Sequence, residues 1–225
     1  MSTGKDLELE SAIQKFKEGQ TSGRIDISFT KLDEHKINYL IKNVYKLKLD
    51  NINFLSIKAC NLTDDTFKLL MNGLSFINGL IEIDVSLNDI TTLEYLNAID
   101  VKNIEKLSAS ECHFVGKDSL PVELFSKMPK LKYLELKFNT DDNILVFTLD
   151  FLYTLNIDCS IIMLMSLIHV EIPEKEDSSK INNIPLETFH MCNSGSWLGH
   201  TPDEIMYNCG KIEYNHSPLI KAART

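Results

Sequence analysis

The 225-residue chain is 44% hydrophobic and 24% charged, with 23 Lys and Arg against 32 Asp and Glu, a formal net charge of −9. That is apolar enough to build a core, and too acidic to suit direct binding of a phosphate backbone. Its nine Gly and six Pro exclude a collagenous or low-complexity chain. The longest purely apolar stretch, Ile161 to Met165, falls far short of the ~18 residues of a membrane helix. No apolar run follows Met1 as a secretory signal would require. Five widely spaced cysteines, an odd number without a CxxC, predict free thiols in a reducing compartment. A cytoplasmic location, or a nuclear one, is expected.

In chain order, residues 5 to 19 predict an amphipathic helix with Leu9, Ile13 and Phe16 turned inward. A short apolar frame follows at Ile25, Ile27, Thr30 and Leu32, then a helical stripe at Ile37, Leu40, Ile41 and Val44. The frame returns at Ile52, Leu55, Ile57, Cys60 and Leu62. Thr63 is placed to cap a helix carrying Phe67, Leu70, Leu74 and Ile77. It recurs at Leu80, Ile83, Val85, Asn88 and Ile90, after which Thr91 and Glu94 form a capping box before Leu93, Leu96 and Ile99. Further copies stand at Ile104, Leu107, Ala109, Cys112, Phe114 and at Leu131, Leu134, Leu136, Asn139. Leu145, Phe147, Leu149 and Phe151 alternate like a strand. Weaker copies follow at Leu152, Leu155, Ile157, Ser160, Ile162, at Leu186, Phe189, Met191, Ser194 and at Cys209, Ile212, Tyr214, Ser217, Leu219. A truncated copy lies around Leu167, Val170 and Ile172. The polar stretch from Pro173 to Pro185 reads as an exposed loop.

The segment Leu131-Lys-Tyr-Leu134-Glu-Leu136-Lys-Phe-Asn139 has the pattern L-x-x-L-x-L-x-x-N/C, and this chain resembles the leucine-rich-repeat family. Copies recur every 15 to 30 residues, and those with helical connections resemble the intracellular, ribonuclease-inhibitor-like type. The asparagine column reads Thr30, Cys60, Asn88, Cys112, Asn139, Ser160, Lys175, Ser194 and Ser217. Small polar or thiol side chains suit it, because buried backbone groups at each bend need partners. The resemblance implies an α/β solenoid with a curved parallel sheet on the concave side and helices, then irregular segments, on the convex side. Residues 1–22 would be an N-terminal capping helix, 23–219 an array of about eight repeats, and 220–225 a C-terminal tail.

On that resemblance, the column between the two core residues faces outward on the concave side: Asp26, Ser56, Asp84, Ser108, Glu135, Asn156, Glu171, His190 and Glu213. It is rich in carboxylates and holds no Lys or Arg, and neighbouring positions add Phe29, Phe54, Leu87, Tyr133 and Phe138. Such a face suits a basic protein segment or helix, steered by charge and held by rings. The expected function is a non-enzymatic protein–protein interaction module. The alternatives are a structural or accessory subunit of a larger assembly and, through Arg24, a GTPase-activating regulator. No membrane or direct nucleic-acid partner is expected. No glycine-rich phosphate loop, GxSxG or HExxH occurs, so no cofactor is implied. His190, Cys192, His200 and Cys209 have no usual zinc spacing, and Cys209 takes a core place in the frame, so no metal site is expected.

Overall fold

The computed structural model describes residues 7–114, 117–137, 144–148, 154, 160–164, 167–171, 189–191 and 213–214. Helix α1 (Leu7–Ser22) buries Leu9, Ile13 and Phe16 and packs against strand β1 (Arg24–Asp26). It ends three residues past the predicted bound, within the usual scatter of helix ends. Gly23 ends it, with φ at 70° and its N–H donating to Gly19 O at 2.8 Å, a left-handed turn that glycine makes at least cost.

Helix α2 (Glu34–Val44) begins where the Asp33 carboxylate accepts the Lys36 N–H at 2.8 Å. Helix α3 (Asp64–Gly73) begins at Thr63, whose N–H donates to the Thr66 hydroxyl at 2.8 Å. Asp64 and Asp65 place negative charge at its N-terminus, where the helix dipole favours it. The expected capping box at Thr91 does not form. The Asp64 carboxylate accepts both the N–H and the hydroxyl of Thr91, at 2.9 and 2.6 Å, and a 3-10 turn (Glu94–Ala98) replaces the helix. Leu93, Leu96 and Ile99 still face the core. A second 3-10 turn (Lys117–Ser119) and the single-turn α4 (Val122–Phe125) make up the next connection.

Between these helical segments come β2 (Phe54–Ser56), β3 (Glu82–Asp84), β4 (Lys106–Ser108) and β5 (Tyr133–Lys137). They pair parallel to β1 and to each other in sequence order, as helical crossovers require. The register aligns Ile25, Leu55, Ile83, Leu107 and Leu134 as one fully buried row. Two residues on in each strand direction, Ile27, Ile57, Val85, Ala109 and Leu136 are buried as well. Phe16, Phe67, Phe114 and Phe125 are the largest side chains fully buried in the core. The protein is therefore α/β, built on a parallel sheet.

Later in the chain come β6 (Ile144–Thr148), β7 (Ser160–Leu164), β8 (Leu167–Glu171), β9 (Phe189–Met191) and β10 (Glu213–Tyr214). The strand beside β5 is β7, not the expected Leu155–Ile157; its apolar run aligns all five of its residues with β5. Strand β9 pairs with β7, which brings this sheet to seven strands among the described residues. Strands β6, β8 and β10 form a separate three-stranded parallel sheet, so the predicted single succession of strands does not hold there. The five-residue ladder between β6 and β8 accounts for the departure: Ile144 to Thr148 supply a partner strand that the frame had left unpaired. Asn139, Lys175, Ser194, Ser217, the 173–185 loop and the 220–225 tail lie outside the described residues.

Candidate functional site

The outer side of β1 to β5, exposed except at buried Ser56 and Ser108, carries two rows set by the strand register. One is Arg24, Phe54, Glu82, Lys106 and Tyr133; the other is Asp26, Ser56, Asp84, Ser108 and Glu135. The predicted carboxylate row is thus one aligned row as far as Glu135. Glu171 and Glu213 stand in β8 and β10 of the other sheet, and Phe138 lies outside the described residues. His190 aligns with Ile162 in β9, two strands beyond Glu135.

Within this row the carboxylates also hold the chain. Asp26 Oδ1 accepts the Ser28 N–H at 3.0 Å, and Asp84 Oδ1 accepts the Ser86 N–H at 2.9 Å, bending the backbone as each strand ends. Serines link neighbouring strands: the Ser28 and Ser56 hydroxyls meet at 2.7 Å, and Ser108 donates to Glu135 Oε2 at 2.8 Å. Partial burial pushes the Asp26 carboxyl up, but the Ser28 hydroxyl and amide, with Lys15 and Arg24, hold it below its ordinary value.

The adjacent row supplies cations that the carboxylate column by itself had concealed. Lys106 Nζ lies 3.1 Å from Glu82 and 4.0 Å from Glu135, and partial burial notwithstanding, these acids and Asp84 raise its affinity for its proton. The Arg24 guanidinium sits 3.8 Å from the centre of the Phe54 ring. The face is accordingly a mosaic of both signs with an acidic stripe, rather than a uniformly acidic surface. The strand bounds also divide the predicted apolar and aromatic set in two. Phe54 and Tyr133 belong to this row, whereas Phe29 and Leu87 lie past the strand ends. Tyr133 is 48% exposed and Phe29 68%.

Beneath the face, the small polar column satisfies the bends. Buried Asn88 accepts the N–H groups of Cys60 and Leu62 at 3.0 and 3.1 Å and donates to the carbonyls of Ile57, Val85 and Ser86. The Cys60 thiol donates to Ile27 O at 3.3 Å, and the Cys112 thiol to Val85 O at 3.7 Å. Both are buried thiols, and burial pushes each pKa up to about 12. These are structural thiols, far from the reactive range. Among the described residues no cluster of His, Cys, Asp and Glu could hold a metal ion. Cys192, His200 and Cys209 lie outside them. No helix among the described residues is long and apolar enough to cross a membrane. No protein-family model matches the chain, and no curated protein matches its sequence.

Proposed function

We propose that the chain is a leucine-rich-repeat solenoid of the intracellular, ribonuclease-inhibitor-like type, acting as a non-enzymatic protein-binding module. Its binding surface is the exposed side of β1 to β5. The observation that carries this reading is the exposed aromatic and carboxylate array: Tyr133 and Phe29 protrude on either side of the Asp26–Asp84–Glu135 stripe. Large exposed rings on a strand and at the corner just past one are poorly explained by solubility, and they are the residue types that anchor protein interfaces. The stripe would steer a basic segment of the partner. The seating of Arg24 on Phe54 favours a positioning role on this face over phosphoryl-transfer chemistry.

A second reading, an accessory subunit held on two sides in an assembly, is favoured by Tyr39 and Tyr45 on the helical side, 41% and 52% exposed. Affinity capture from native extract separates the two, using the intact chain and its Asp26→Asn, Asp84→Asn, Glu135→Gln triple variant. The amide replacements keep the hydrogen-bond acceptors and remove the charge. A salt-sensitive partner lost by the triple variant is the expected result. Partners retained equally by the variant and in high salt would reject the binding face and favour the accessory-subunit reading.

A further inference from the structure

At four successive corners the second residue beyond the second buried strand row adopts left-handed backbone: Phe29 at φ 65°, Ala59 at 54°, Leu87 at 59° and Glu111 at 54°. Glycine or asparagine takes this conformation at least cost, as Asn61 does elsewhere in the chain at φ 58°. Phe and Leu are costly choices there, and strain of this kind gathers where a side chain has a task. Backbone hydrogen bonds put the corners side by side. Phe29 N–H donates to Lys58 O, Ala59 N–H to Ser86 O and Leu87 N–H to Ser110 O, at 2.8, 2.9 and 2.8 Å. The result is a row with a ring 68% exposed, a small alanine, and a half-buried leucine.

Strand spacing places Phe29 and Leu87 roughly 9–10 Å apart, two rungs of the sheet. Seven residues of an α-helix rise about 10.5 Å, so a helix laid across the strands can set apolar side chains at i and i+7 against both. An extended segment repeats each face about every 6.8 Å and matches neither one rung nor two. Charge around the row selects the sign of the partner. Asp26 and Asp84 precede Phe29 and Leu87 by three residues, Asp89 follows Leu87 by two, and Glu111 is the fourth corner of the row itself. Against these four carboxylates stand Lys58, within the row of Ser28 and Ser86, Lys31, two residues past Phe29, and His113, whose Nε2 lies 3.7 Å from Asp89, so the surroundings of the row keep an acidic excess.

We propose that the Phe29–Ala59–Leu87 row seats an amphipathic basic helix of a partner protein, its apolar edge on the row and its Lys or Arg side chains toward Asp26 and Asp84. This rests on the protein-binding reading and narrows it to one edge of the face and one class of partner. The test is selection of displayed peptides of about 18 residues on the immobilised full chain, long enough for two helical repeats. Enriched peptides should carry apolar residues at i and i+7 with flanking Lys or Arg, and become helical when bound. Their affinity should fall about tenfold or more for Phe29→Asn with Leu87→Asn, as for loss of an anchor pair. Asparagine tolerates the left-handed backbone, so the melting temperature should hold or rise; Phe29→Gly alone provides a second variant of intact fold. Enrichment of acidic or extended peptides, equal binding by the folded variants, or no enrichment would each overturn the proposal. Those results leave the broader reading standing, because that reading fails only through the charge-neutralised capture experiment.

Discussion

Asn88 Oδ1 accepts the backbone N–H of Cys60 at 3.0 Å, across 28 positions of sequence. The same side chain answers four further backbone groups in two successive bends, all of them buried. Replacement by leucine keeps the approximate volume and leaves those groups without a partner. Asn88→Leu should lower unfolding free energy by about 3–5 kcal/mol, read from urea denaturation, since several buried polar groups lose satisfaction at once. A loss below about 1 kcal/mol would mean that water or a shifted backbone replaces the side chain.

The thiols predict an alkaline limit. For Cys60 and Cys112 burial raises the folded pKa from the ordinary 9.0 to about 12. The stability linked to the protonated thiol is therefore complete below pH 9 and is lost as pH rises toward 12. Each thiol should contribute a slope of about 1.4 kcal/mol per pH unit in that window. Cys60→Ala with Cys112→Ala should flatten the alkaline limb of a stability–pH curve, whatever its effect at pH 7. A limb of unchanged slope would assign the loss to other groups.

Neutralising the acidic stripe should separate charge from architecture. Because Asn and Gln retain acceptors for Ser28, Ser86 and Ser108, the triple variant should melt within a few degrees of the parent at neutral pH. At low pH the two should diverge in the size of the stability they lose. The depressed pKa of Asp26 gives stability above its ordinary carboxylate value that is lost as pH falls through the folded value. Asp26→Asn should remove that share of the acid sensitivity, measured by thermal melts from pH 7 to about pH 2.

Gly73 closes α3 where the helix meets α2, and a β-carbon there would run into Cδ1 and Cγ1 of Ile41. Gly73→Ala should cost about 1–3 kcal/mol despite the better helix propensity of alanine. Adding Ile41→Ala should recover part of that loss, a coupling that a double-mutant cycle measures directly. Independent, additive effects would show that the two helices separate to admit the methyl group.

Much of this molecule was legible from the spacing of apolar residues alone. The rows through Leu55, Ile83, Leu107 and Leu134 are buried where periodicity put them, because a parallel strand between helices admits only apolar side chains on its inner face. Asn88 was legible for the complementary reason, that a bend inside a core must satisfy its amides. Two things were not. The helical segment after Thr91 depended on a competition that local sequence does not display, the Asp64 carboxylate drawing Thr91 from 27 residues away. The strand at Ser160–Leu164 was missed because an apolar run fits several registers, and pairing with β5 selects among them. On the face, a single column of carboxylates suggested a stronger charge than exists, since Arg24 and Lys106 stand two residues earlier in their strands, on the same side of the sheet. The left-handed corners had a readable signal: each immediately precedes the Thr, Asn or Cys of the small polar column.

The direction of the Asn88 and cysteine contacts has a consequence for synthesis on the ribosome. Cys60 reaches back to Ile27, Asn88 back to Ile57, Cys60 and Leu62, and Cys112 back to Val85. Each bend is thus completed by a residue translated some 26 to 33 positions later. At about 5–20 residues per second, an emerging bend waits on the order of 1–7 s for its partner to be made. Until then its amides are served by water and the preceding core stays open. The nascent chain should therefore gain resistance to protease in steps, each lagging one unit behind the length already exposed.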